Sequence, residues 1–200
     1  MTRRADIVAL VGSRICHDLG SPLGAIGNGV ELMTLAGDGP PSPEMELIAQ
    51  SIETANAMLR FFRLAFGRAA PGSMVARDEI AQLLAAASRG GRLTYYWAVD
   101  DPQERAEVRA VLLTLMCFES ALPRGGDVHI RRRGPRWEMW AEGDRLAVRQ
   151  DLWSSLSAPA KGPAEPAPAE VQFVLLPEVL AELDRTLAVD IGANRITAGF

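Results

Sequence analysis

The sequence predicts an α+β fold: an antiparallel hairpin of two long helices, followed by a mixed half of short helices and strands. Three observations predict it. Apolar residues recur at helical spacing through 3–36 and again through 43–68. Only "GDGPPSP" separates the two segments, so they fold back on each other. After "AAPGSM" (69–74) the pattern changes to shorter runs, some rich in aromatic and β-branched residues.

Composition narrows the class. Of 200 residues, 48% are apolar and 23% charged, the balance of an ordinary globular chain. A net charge of −4 argues against a protein built to bind nucleic acid. The two cysteines, Cys16 and Cys117, lie far apart without metal-type spacing, which points to a reducing compartment and no disulfide framework. No apolar run approaches the ~18 residues of a membrane span. The opening "MTRRADIVALVG" mimics a signal peptide, but Asp6 interrupts it, Arg14 follows closely and no cleavage site appears. It reads as the first turns of a helix, and the expected location is cytoplasmic.

The elements follow in order. Gly37, Gly39, Pro40 and Pro41 stop the first helix, Ser42 is an N-cap for the second, and Pro43 suits its first position. Residues 69–74 read as a linker and 78–88 as a helix. "RLTYYWAV" (92–99) is a strand, and 101–122 a helix opened by Asp100 or Asp101. "DVHIRRR" and "RWEMWAE" flank a Gly-Pro turn as a β-hairpin, and 149–156 suits a short helix. "SAPAKGPAEPAPAE" (157–170) reads as an exposed, mobile loop. Residues 171–187 look helical, and "LAVDIGANRITAGF" closes the chain as two short strands.

The first helix carries the most informative stretch, "ICHDLGSPLGAIGNGV" (15–30). At ~100° per residue, Val8, Val11, Ile15, Leu19, Leu23, Ile26, Val30 and Met33 share one side, the expected inward stripe. His17 falls on the opposite side with Ser13, Ser21, Gly24, Asn28 and Glu31. Each helical glycine costs about 1 kcal/mol relative to alanine. Gly20, Gly24, Gly27 and Gly29 therefore need a reason, and clearing the surface around an exposed imidazole supplies one. Asp18 is within reach of ring Nδ1; a hydrogen bond there would set the tautomer and leave Nε2 as the nucleophile. Ser21, one turn on, could hydrogen-bond a phosphoryl group or a water. Pro22 removes a backbone donor and is expected to bend the helix.

The second helix has its own stripe, Ile48, Ile52, Ala55, Leu59, Phe62 and Phe66. Two stripes facing each other make a thin core. Such a hairpin either pairs with a copy of itself as a dimeric four-helix bundle or packs onto the C-terminal half.

"HDLGSPL" followed by a helical hairpin resembles the H-box of the dimerisation and phosphoacceptor domain of sensor histidine kinases. The fuller string "HDLGSPLGAIGNGVELM" resembles the ChpT-type histidine phosphotransferases of alphaproteobacteria. The resemblance covers the whole chain. It implies a phosphoacceptor hairpin over 1–70 and, over 71–200, an α/β sandwich similar to a degenerate kinase ATP-binding domain. The kinases hold ATP and Mg²⁺ with an asparagine-bearing helix and an aspartate-containing glycine turn. Here "VLLTLMCFESALPRGG" (111–126) has no asparagine, and Leu113, Thr114, Cys117 and Phe118 stand where polar ligands are needed. "WAEGDRL" (140–146) keeps Gly143 but has Ala141 for the aspartate and Arg145 for a second glycine. The expectation is an ATP-binding fold that has lost ATP, with Mg²⁺ supplied by the partner.

The implied function is a histidine phosphotransferase in a phosphorelay. His17 is the phosphoacceptor, with Asp18 and Ser21 beside it. The implied partners are a second copy of the chain and receiver domains, of a hybrid kinase as donor and of response regulators of the CtrA and CpdR type as acceptors. Two alternatives stay open: a divergent kinase that phosphorylates itself from ATP, and a dimeric scaffold that docks a receiver without accepting phosphate.

Other features point inward. Arg131, Arg132, Arg133 and Arg136 suit a solvated strand edge better than a docking patch, and His129 reads as structural. Cys16 reads as a small core residue, and Trp97, Trp137, Trp140 and Trp153 as core or interface residues.

Overall fold

The computed structural model describes residues 4–36, 43–157 and 166–200. Helix α1 (Arg4–Ala36) and helix α2 (Pro43–Ala65) form the predicted hairpin, and α1 continues through Pro22 without a break. The expected Ser42 cap and most of the 157–170 loop lie outside the described residues. Helix α2 ends three residues before the expected limit, at a turn containing Gly67. A Cβ there would sit 2.2 Å from the Arg63 carbonyl oxygen, so only glycine fits.

The C-terminal half follows as β1 (Met74–Val75), α3 (Arg77–Gly90), β2 (Leu93–Ala98), β3 (Gln103–Glu104) and α4 (Arg105–Ala121). Then come β4 (Gly126–Arg133), β5 (Arg136–Glu142), α5 (Gln150–Ser157), a 3-10 turn (Pro168–Glu170), α6 (Val171–Glu182), β6 (Ala188–Ile191) and β7 (Arg195–Gly199). Five strands form one mixed sheet in the order β2-β4-β5-β7-β6. Strand β2 runs parallel to β4, and the remaining pairs are antiparallel. The molecule is thus α+β, a helical hairpin joined to a sheet covered by helices.

The linker and the entry to α4 differ from expectation. Met74 and Val75 pair with Glu104 and Gln103, and the Arg105 N–H donates to the Ser73 carbonyl. Helix α4 therefore starts at Arg105 rather than near residue 101. A two-residue ladder is too short to show any period and exists only because the fold brings two segments of the C-terminal half together. Helix α6 ends at Glu182, before Asp184, which takes a left-handed φ of 54°.

One core runs through the molecule. Helix α4 buries Val108, Val111, Leu112, Leu115 and Phe118 among others, and Trp137 is fully enclosed beneath it. The base of the hairpin joins this core through Ile7, Phe62, Leu64 and Ala65. The expected α1 stripe consequently divides. Val11 and Ile15 lie against the core, whereas Val8, Leu23 and Val30 are exposed. Cys16 is exposed rather than packed, while Cys117 is buried. The arginine cluster is also placed differently: β4 is an inner strand, and Arg131 and Arg132 pair with Glu138 and Glu107. His129 stacks between Tyr96 and Trp140, with ring centroids 4.6 and 4.8 Å apart, which agrees with a structural role.

Candidate active site

Helix α1 presents His17 toward solvent: its side chain is 86% exposed. Ring Nδ1 lies 3.0 Å from Asp18 Oδ1. With Nδ1 donating to the carboxylate, Nε2 is left as the basic, unhindered nitrogen. Asp18 itself is sheltered, with a side chain 17% exposed, and its Oδ2 accepts from Arg14 Nε at 2.5 Å. These two residues stand one turn apart on α1, where side chains meet.

The glycines answer to space. A Cβ at Gly20, Gly24 or Gly27 would meet no atom within 4 Å, so nothing inside the described molecule demands glycine there. Their absent side chains leave the flank of His17 bare. Ser21 is exposed on the same side and shares a cavity with His17.

That cavity, of about 430 Å³, opens between the hairpin and the C-terminal half. Met58, Phe61, Leu93 and Met116 give it an apolar interior; Arg14, His17 and Asp18 stand on one wall and Arg92 and Glu119 on another. Burial, with Glu119 adding to it, pushes the Tyr95 phenol well above its ordinary range, so this lining residue stays neutral.

The structure brings His17, Asp18 and Ser21 together as the spacing predicts. Arg14 was not expected there. Its offset from Asp18, four residues, was a readable signal for an ion pair. Its other contact, Nη1 donating to the Ala169 carbonyl at 3.2 Å, joins residues 155 positions apart and had no sequence signal.

Helix α4 turns the positions that a kinase would use for ATP ligands into its own packing. Leu113, Thr114, Cys117 and Phe118 are all buried, and the Thr114 hydroxyl donates to the Ala110 carbonyl. Phe118 stacks on Trp153, which meets Phe173 edge-on, so the helices close over these positions with aromatic packing. Ala141 is fully buried, and a Cβ at Gly143 would strike Leu122 Cδ2 at 2.5 Å. Gly143 serves packing.

Comparison with known proteins bears on the same features. Residues 77–195 match the family model for the histidine phosphotransferase C-terminal domain. The chain is 34% identical over 157 residues to the protein phosphotransferase ChpT of Brucella abortus (strain 2308), covering 72% of this chain and 70% of that protein. Among solved structures, a bacterial phosphotransferase superposes with a TM-score of 0.80 at 28% identity, over 100% of this chain and 97% of the other. The histidine kinase AdeS of Acinetobacter baumannii gives a TM-score of 0.46 at 9% identity, over 92% of this chain and 95% of that one. With an exposed imidazole held by a carboxylate on its helical hairpin and a family match across the C-terminal half, this chain belongs to the histidine phosphotransferase family.

Proposed function

We propose that the protein carries phosphoryl groups between receiver-domain aspartates through His17. The observation that carries this reading is the exposed ring with Nδ1 on Asp18 and bare glycine positions alongside it. A phosphorylated receiver docks over this face, and His17 Nε2 attacks phosphorus in line with the acyl phosphate bond. The Nε2–P bond forms as the P–O bond breaks, and the electron pair leaves with the receiver's carboxylate. The Nδ1 proton stays on the ring, facing Asp18, which stabilises the positive charge developing there. The reverse steps deliver the group to a second receiver. Positioning and charge neutralisation are the main demands of such a transfer.

Asp18, the carboxylate beside the ring, is already engaged by Arg14, so Mg²⁺ is assigned to the receiver's acidic pocket. ATP has no role in this reading, supported by the aromatic packing over α4. The working unit is a homodimer in which two hairpins form a four-helix bundle, and its place is the cytoplasm. The regulators served are of the CtrA and CpdR type, on the resemblance of the H-box string.

The test is transfer from a purified phospho-receiver. His17→Ala removes uptake of acid-labile phosphate while the fold survives, because an exposed side chain carries little packing energy. Asp18→Ala slows transfer without abolishing it. Wild-type labelling of the His17 variant would overturn the assignment.

A further inference from the structure

Asp18 meets His17 through one oxygen and Arg14 through the other. A lone carboxylate turns easily about its last torsion, where the preference is broad. Arg14 removes that freedom, since its Nε is aimed at Asp18 Oδ2. Arg14 is held in turn from outside the hairpin, because its Nη1 donates to the Ala169 carbonyl. Ala169 lies in the 3-10 turn Pro168–Glu170. That turn is pinned by Glu170, which accepts from the Ala167 N–H at 3.0 Å and pairs with Arg149. A line of polar contacts therefore runs from the C-terminal half through Arg14 and Asp18 to the reactive ring. Arg14 and Asp18 are each 17% exposed, against 86% for His17, so the pair is less screened by salt than a surface pair would be.

We infer that Arg14 is a positioning residue for phosphotransfer, holding Asp18 so that the imidazole keeps its proton on Nδ1 and offers Nε2. The inference rests on His17 being the phosphoacceptor. It adds that the ring is oriented from two parts of the chain at once, by the hairpin and by a backbone carbonyl of the 3-10 turn.

The test reads the ring directly. Imidazole ¹⁵N shifts of His17 in the unphosphorylated protein report which nitrogen carries the proton. Wild type shows the Nδ1–H form; Arg14→Ala shifts the population toward Nε2–H, and Arg14→Lys restores most of the wild-type signal. Transfer falls about tenfold in Arg14→Ala, both from a phospho-receiver and from the small donor phosphoramidate, with receiver affinity unchanged. In an Asp18→Ala background the same substitution adds no further loss, because Arg14 acts through Asp18. If alanine unfolds the hairpin, Arg14→Gln carries the same measurements. A folded Arg14 variant with wild-type ring signals, or losses that add to those of Asp18→Ala, overturns the inference. Failure of the phosphoacceptor reading is seen separately, as labelling that persists in His17→Ala.

Discussion

Residues around His17 separate two requirements, a reactive ring and access to it. Gly24 lies on the His17 side of α1, and a side chain there would point into open space. Replacing it with leucine raises helix propensity by up to about 1 kcal/mol. Gly24→Leu therefore leaves the protein at least as stable, yet it obstructs a docking receiver. Ser21→Leu, closer to the ring, does the same. A small phosphodonor needs no docking surface and still labels His17 in both variants. The ratio of receiver transfer to small-donor labelling should fall at least several-fold; an unchanged ratio would remove the glycines from the docking site. Arg14→Ala behaves differently, lowering both rates together, so the two classes of residue are distinguishable in one assay.

At the scale of elements, α4 is tied to the sheet through a half-buried ion pair. Glu107, in its first turn, has a side chain only 10% exposed and meets Arg132 of β4 at 2.9 Å. It also accepts from the indole Nε1 of Trp137 at 3.3 Å. Arg132 Nη1 bonds Gln103 of β3 as well, and the guanidinium carbon lies over the Trp137 ring, 5.3 Å from its centroid. Removing Glu107 leaves the buried Trp137 indole donor without its acceptor and takes one partner from Arg132, which keeps Gln103 and the Gly134 carbonyl. Glu107→Ala should cost about 2 kcal/mol, within the range for leaving a buried donor unsatisfied. Glu107→Gln, which keeps an acceptor for Trp137, should cost less. Urea titration followed by circular dichroism checks both, as lowered midpoints with an unchanged slope.

The whole molecule leaves part of its hairpin uncovered. Leu23, Ile52 and Leu59 are 58%, 45% and 49% exposed, although they belong to the stripes that were expected to face inward. The base of the hairpin is absorbed by the C-terminal core. Packing onto the C-terminal half, one of the two solutions open to a two-helix hairpin, is in use, and these exposed residues are left over from it. In the proposed bundle these residues face a second copy. Leu23→Asp combined with Leu59→Asp should convert the dimer to monomer in sedimentation velocity, and phosphoramidate should still label His17. A double variant that sediments as wild type would place the dimer contact elsewhere.

The sequence by itself determined the two helices of the hairpin and the side of α1 that carries His17, because helical period is a local property. It also placed Asp18 beside the ring, since neighbours one residue apart stay close in any fold. It misjudged how the α1 stripe is shared, put Cys16 in the core, and treated Arg131 and Arg132 as edge residues. Those outcomes depend on which surfaces arrive from elsewhere in the chain. Only the tertiary structure decided that β1 and β3 pair, that Glu107 meets Arg132, and that the Ala169 carbonyl reaches Arg14. A hydrogen bond across 155 positions leaves no period and no composition signal. Its formation is decided by how the packed core sets the hairpin against the sheet domain.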